Sequence, residues 1–170
     1  MAVRPILIYG DPRLHQKAEP VEEINDEILE LIDDMFESMF VGKGIGLAAT
    51  QLGVRKAVIV IDLGEHDEDT KLMALINPEI IETKGMLVYE EGCLSIPGVN
   101  AEVERPEEIT VRYTERTGEE YEMTCSGLLA RVIQHEYDHL QGILFPERMT
   151  AADRKKINAE LRKLSRGQNA

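Results

Sequence analysis

Residues 131–142 read RVIQHEYDHLQG, and inside them lies HEYDH (135–139), an H-E-x-x-H pattern. On a helix turning about 100° per residue, His135, Glu136 and His139 fall within about 60° of Val132. Leu128, Leu129 and Ile133 share that side. Gln134, Asp138 and Gln141 fall opposite, on the side expected to face solvent. Two imidazoles and a carboxylate are thus predicted on the core side of one helix, where a lone buried carboxylate is costly unless compensated. A divalent cation would compensate it. Histidines four apart are about 6 Å apart along the axis and converge on one ion. A single helical histidine is usually a packing or surface residue; three ionisable groups on one buried stripe favour a metal site.

Two histidines do not complete such a site, since catalytic centres of this kind use three protein ligands and an open position. In the longer pattern with a third histidine six residues on, Gly142 fits but Phe145 replaces the ligand. Glu160, a downstream carboxylate, lies on a very polar stretch. His15 and His66 sit in polar turns and read as surface residues. Cys125 reads as a strand-end apolar residue. Cys93, in EEGCLSIPG (90–98) between a strand and a Pro-Gly turn, is the better candidate, because a thiolate binds iron(II), zinc, nickel or cobalt well.

Outward from this helix the chain reads as one domain over 1–170, α+β, with mainly antiparallel sheet around the H-E-x-x-H helix and helices at both ends. Prolines 5, 12 and 20 mark an extended N-terminal arm. Asn25 caps a helix whose apolar rhythm runs Ile28, Leu31, Ile32, Met35, Phe36, Met39, Phe40, and Gly42 and Gly44 end it. Strands are predicted at 57–62, 73–80, 86–90, 108–114 and 120–125, with a polar turn at 64–71; their connections are too short for parallel crossovers. A last helix spans about 151–165. GKGIG is no phosphate loop, because Lys43 lies between its glycines and no G-x-x-x-x-G-K-[ST] is present. Gly46 instead permits close approach of a peptide backbone.

The chain has 170 residues, 43% apolar and 5% aromatic, so aliphatic side chains must fill the core. Its net charge is −13, from 19 basic and 32 acidic residues, which argues against a nucleic-acid-coating surface. No leader and no apolar run of about 18 residues is seen, so a cytosolic protein with unpaired Cys93 and Cys125 is expected, with no membrane association.

Three segments in order, GIGLAATQ (44–51), EGCLS (91–95) and QHEYDH (134–139), resemble the signature motifs of the peptide deformylases. The resemblance spans nearly the whole chain and is specific when the three are taken together. It implies hydrolytic removal of the formyl group from N-formylmethionyl nascent peptides, with release of formate. It implies Cys93, His135 and His139 as ligands of one divalent ion, Fe(2+) foremost, with Zn(2+), Ni(2+) or Co(2+) as alternatives. Glu136 is implied as general base and then acid, and Gln51 and the Leu94 N–H as donors to the carbonyl oxygen. Ile45, Gly46, Glu91 and Gly92 border the substrate cleft in the family. A bound ion lowers the pKa of water to about 7, Glu136 can take and return its proton, and one oxyanion donor is worth roughly 3 kcal/mol. Leu128 is a candidate wall for the methionine pocket. Asn100 stands where some relatives carry a substrate-contacting arginine, and Arg131 where some carry an apolar residue.

The segment 148–166 carries seven basic residues against Asp153 and Glu160, a net of +5 that leaves −18 elsewhere. It reads either as a solvated helix resting on Ile157, Leu161 and Leu164, or as a ribosome contact near the nascent-chain exit. A monomer is expected. Two rival readings are an H-E-x-x-H endopeptidase, against which Phe145 counts, and a closed structural zinc site built from Cys93, Cys125, His135 and His139.

Overall fold

The computed structural model describes residues 2–64 and 70–169. His66 and most of the 64–71 turn lie outside the described residues. Among the described residues seven strands run β1 (Gly46–Ala48), β2 (Val58–Ile61), β3 (Met73–Lys84), β4 (Leu87–Cys93), β5 (Ile96–Arg105), β6 (Glu108–Thr114) and β7 (Glu120–Ser126). The helices are α1 (Asp26–Val41), α2 (Gly127–Leu140), α3 (Ala151–Lys155) and α4 (Asn158–Asn169). One sheet has the order β1-β2-β3-β6-β7, the other is the β4-β5 pair, and every strand pairing is antiparallel. This is the expected α+β class.

The run Val58–Ile61 is apolar at every position because both faces of β2 are covered. Val58 and Val60 pack with Ile32, Met35 and Met39 of α1, while Ile59 and Ile61 pack with Ala130 and Ile133 of α2. The strand's two-residue period delivers alternate side chains to opposite faces. The large sheet is thus sandwiched between α1 and α2, and each fully buried Ile or Leu contributes about 1.5–3 kcal/mol. A third cluster joins Ile96, Val99 and Val103 of β5 to Leu14, Leu144, Phe145, Ile157 and Leu161.

α1 starts where expected: the Asn25 side chain accepts from the Ile28 N–H at 3.1 Å, with Asp26 and Glu27 at the positive end of the helix dipole. Phe40, expected on the apolar face, is 47% exposed. It lies on the last turn of α1, stacked on Phe36 with ring centroids 6.2 Å apart. α2 ends at Leu140, and just past it Gly142 has a φ of +79° that suits a left-handed turn and a missing Cβ that admits the His15 carbonyl.

Three further features differ from the sequence reading. β5 was not expected, because Pro97-Gly98 reads as a turn; here these residues lie in a bulge of the strand between the Ile96 and Ala101 pairings, where a proline costs no ladder bond. Gln134 and Asp138 were expected to face solvent but are 6% and 4% exposed. α2 is enclosed on that side too, by the loop after β5 and by the segment after the helix. Gln134 donates to the Pro106 carbonyl at 2.9 Å, and Asp138 accepts from Arg105 and Arg148. The last helix is broken at Lys156–Ile157 into α3 and α4, with Ile157 and Leu161 buried as the spacing predicted.

Candidate metal centre and cleft

α2 presents His135 and His139 one turn apart, with ring centroids 5.0 Å apart. The end of β4 brings Cys93 to them, and its Sγ lies 3.3 Å from His139 Nε2. One ligand atom from each of Cys93, His135 and His139 falls within 4.8 Å of the others. A register shift between Glu91 and Cys93 re-aims this strand end. Cys125 belongs to the cluster between the large sheet and α2, and burial pushes its thiol up to about 11. Phe145 is buried in the third core cluster with its ring 6.2 Å from that of His135, and it offers no donor atom. Glu160 is exposed on α4, and His15 is exposed with Glu147 3.4 Å away.

Beneath the rings lies a buried ion network. Glu91 Oε1 accepts from His135 Nδ1 at 2.9 Å and from Arg105 Nη2 at 3.0 Å. Its Oε2 accepts from Arg105 Nε at 2.6 Å and Arg131 Nη1 at 2.8 Å. Arg105 Nη1 reaches Asp138 at 2.7 Å, and Arg148 holds both oxygens of Asp138. Burial works against the Glu91 charge, but His135 and Arg105 outweigh it and bring the carboxyl down to about 2. Holding His135 by Nδ1 turns Nε2 toward Cys93 and Glu136, the usual device for orienting a ligand histidine. Arg105, Asp138 and Arg148 were missed by sequence reasoning. The alternation Val99, Ala101, Val103, Arg105 would have placed Arg105 on the inward face of β5 had that strand been recognised.

Glu136 is 2% exposed, and its Oε1 lies 3.5 Å from His135 Nε2. Burial pushes this carboxyl up to about 7; His135 pulls the other way, and the Glu91 charge adds to the rise. Among the described residues, the buried side-chain atoms without a protein partner are Glu136 Oε2 and His139 Nδ1, both in this site. Burial works against a charge on His135, but its bonds to Cys93 and Glu91 win and hold the ring well above its ordinary value. Burial and the neighbouring His135 charge hold His139 well below. A sulfur and two imidazole nitrogens in convergence, beside an unpaired buried carboxylate, fit a borderline-soft divalent ion.

An open cleft of about 570 Å³ leads to these groups, between residues 43–46 on one side and 89–94 on the other. Ile45, Gly46, Glu91, Gly92, Leu94, Leu128 and Glu136 all line it. Both walls are edge strands: β1 ends the large sheet and β4 pairs only with β5. A Cβ on Gly46 would lie 2.7 Å from Val132 Cγ1 and 3.1 Å from Glu136 Cγ, so only glycine lets this strand approach α2. Gln51 is buried below the wall. Its Oε1 accepts from Ala48 N at 2.9 Å, and its Nε2 donates to Ser95 Oγ at 3.0 Å and faces Cys93 Sγ at 3.6 Å. Asn100 packs its side chain against Gly92, on the outer side of β4.

Fold and site together define an α+β protein in which an H-E-x-x-H helix and a cysteine sulfur converge as a candidate metal site. The family model for polypeptide deformylase matches residues 3–155. A peptide deformylase of Acidobacterium capsulatum is 49% identical over 166 residues, covering 98% of both chains. The crystal structure of a peptide deformylase from Legionella pneumophila superposes with a TM-score of 0.88 at 40% identity, covering 99% of this chain and 98% of that one. One from Ehrlichia chaffeensis, solved in complex with actinonin, gives 0.90 at 35% identity over the full length of both. The chain belongs to the polypeptide deformylase family, metal-dependent hydrolases that remove the formyl group from new N-formylmethionyl polypeptides.

Proposed function

We propose that Cys93, His135 and His139 hold one divalent ion, Fe(2+) in the working enzyme, and that Glu136 is the proton-transferring group. The ion, when bound, would supply Lewis-acid activation of water at neutral pH. The carrying observation is the buried Glu136 carboxylate, one oxygen without a protein partner, next to three converging donors. A carboxylate held there can take a proton from water and return it to the departing amine. The Leu94 N–H donates to the oxygen of the formyl group as charge builds there, and the Gln51 amide joins it by turning from Ser95 Oγ and Cys93 Sγ. The substrate backbone lies as a strand between Ile45–Gly46 and Glu91–Gly92, with the methionine side chain against Leu128.

The test is release of formate from a formyl-Met peptide by protein purified without oxygen, with metal content assayed alongside. Cys93→Ser is expected to lose the ion and the activity together, while Cys125→Ser keeps both. Metal loss with Cys125→Ser would instead favour a closed structural site. Cleavage of internal peptide bonds would favour the endopeptidase reading.

We also propose a single-domain monomer acting in the cytoplasm, where its nascent substrates arise, and ribosome contact through α3 and α4. Lys155, Lys156, Arg162, Lys163 and Arg166 are exposed there, whereas Ile157 and Leu161 are buried against β5 and the N-terminal arm. Truncation would therefore open the core, so charge reversal is the cleaner probe. Lys155→Glu, Lys156→Glu, Arg162→Glu and Lys163→Glu combined should cut ribosome co-sedimentation at least about tenfold at low salt, with formate release from a short peptide unchanged. Undiminished co-sedimentation would remove α3 and α4 from the interface.

A further inference from the structure

We propose that Arg131 is a positioning residue that clamps the β4–β5 hairpin to α2 and so fixes the strand edge along which the substrate backbone lies. This rests on the deformylase reading of the cleft. Arg131 is 6% exposed, one turn before His135. Its Nη1 donates to Glu91 Oε2 and to the Val103 carbonyl, both at 2.8 Å, and its Nη2 donates to the Leu87 carbonyl at 2.6 Å. One guanidinium therefore ties α2 to both strands of the hairpin. Tyr89 adds a contact, with its ring centroid 5.9 Å from Arg131 Cζ.

Glu91 does not need this second arginine, because Arg105 already pairs with both of its oxygens and His135 bonds one of them. The two bonds to main-chain carbonyls are what Arg131 adds. They fall where the structure is otherwise thinly held. A two-stranded sheet is marginal alone. β5 is anchored by Ile96, Val99 and Val103 in the third core cluster, but Leu87, Val88, Tyr89 and Glu90 of β4 are all exposed. The planar fork of an arginine can bridge carbonyls on two strands at once, and a compact ammonium cannot.

The experiment compares Arg131→Met and Arg131→Lys with the parent, using metal-loaded protein. The substrates are formylmethionine amide, which ends at the first residue, and a formylmethionyl tetrapeptide, which must lie along β4. In both variants KM for the tetrapeptide should rise about tenfold, equivalent to about 1.4 kcal/mol of lost binding. KM for the amide should move less than about twofold, and kcat on either substrate less than about threefold. Amide hydrogen exchange over residues 87–91 should quicken at least about tenfold, with α2 unchanged. Parent-like KM and exchange in Arg131→Lys would mean that charge beside Glu91 is the whole role, and would overturn the clamp. So would equal KM rises for both substrates with a fallen Tm, or unchanged exchange in Arg131→Met. The exchange measurement needs no turnover, so its failure is separable from a failure of the parent protein to release formate.

Discussion

Glu136→Gln is expected to keep its metal and its fold and to release formate about a thousandfold more slowly. The substitution preserves shape and removes only the ability to carry a proton, a role worth about 10²–10⁴ in rate. It removes no protein hydrogen bond from Oε2, which has none. The amide keeps the size and shape of the side chain, so Tm should stay level while the rate collapses. Steady-state kinetics, metal analysis and a melting curve on one preparation decide it. A rate within tenfold of the parent would take the proton from Glu136 and require another base. A rate loss tracking metal loss would make Glu136 a ligand-supporting group.

The chemistry-bearing residues were legible because their reasons are local. H-E-x-x-H puts its three groups on one stripe by helical period alone, and β6 at 108–114 alternates cleanly because one of its faces carries Ile109, Val111 and Tyr113 inward. What the sequence hid depends on partners far along the chain. A helical wheel allots α2 one apolar face, yet α2 is also closed by Pro106 and Arg148, so Gln134 and Asp138 are interior residues with polar partners. β5 escaped because Pro97-Gly98 carries turn chemistry; the two lie in a bulge between the pairings of Cys93 with Ile96 and of Glu91 with Ala101, where Gly98 takes a φ of +77°. With β5 unseen, Arg105 could not be placed, and the carboxylate that orients His135 had no visible counter-charge. The histidine pair was thus readable from spacing, Cys93 rested on its loop context and on the family resemblance, and the framework around them was not readable.

That framework carries the largest expected loss of stability. Arg105 is 4% exposed and supplies three hydrogen bonds, two to Glu91 and one to Asp138. Replacing it with alanine leaves two buried carboxylates short of a counter-charge, a change that costs about 3–5 kcal/mol when one partner of a buried pair is removed. For a chain of this size that is a fall in Tm of about 6–20 °C. Arg148→Ala is the control. It also pairs with Asp138, but its side chain is 47% exposed, so water can replace much of what is lost and about 1 kcal/mol is expected. Arg105→Ala should weaken metal binding about 10–100-fold as well, because Glu91 then holds His135 Nδ1 less firmly. The two effects separate by melting parent and variant with the ion stripped by chelator. The ion network acts without the metal, so most of the Tm difference must persist there. A difference that vanishes in the stripped proteins would assign the destabilisation to lost metal alone, and Arg105 would then be a support for His135 rather than part of what holds α2 against the hairpin.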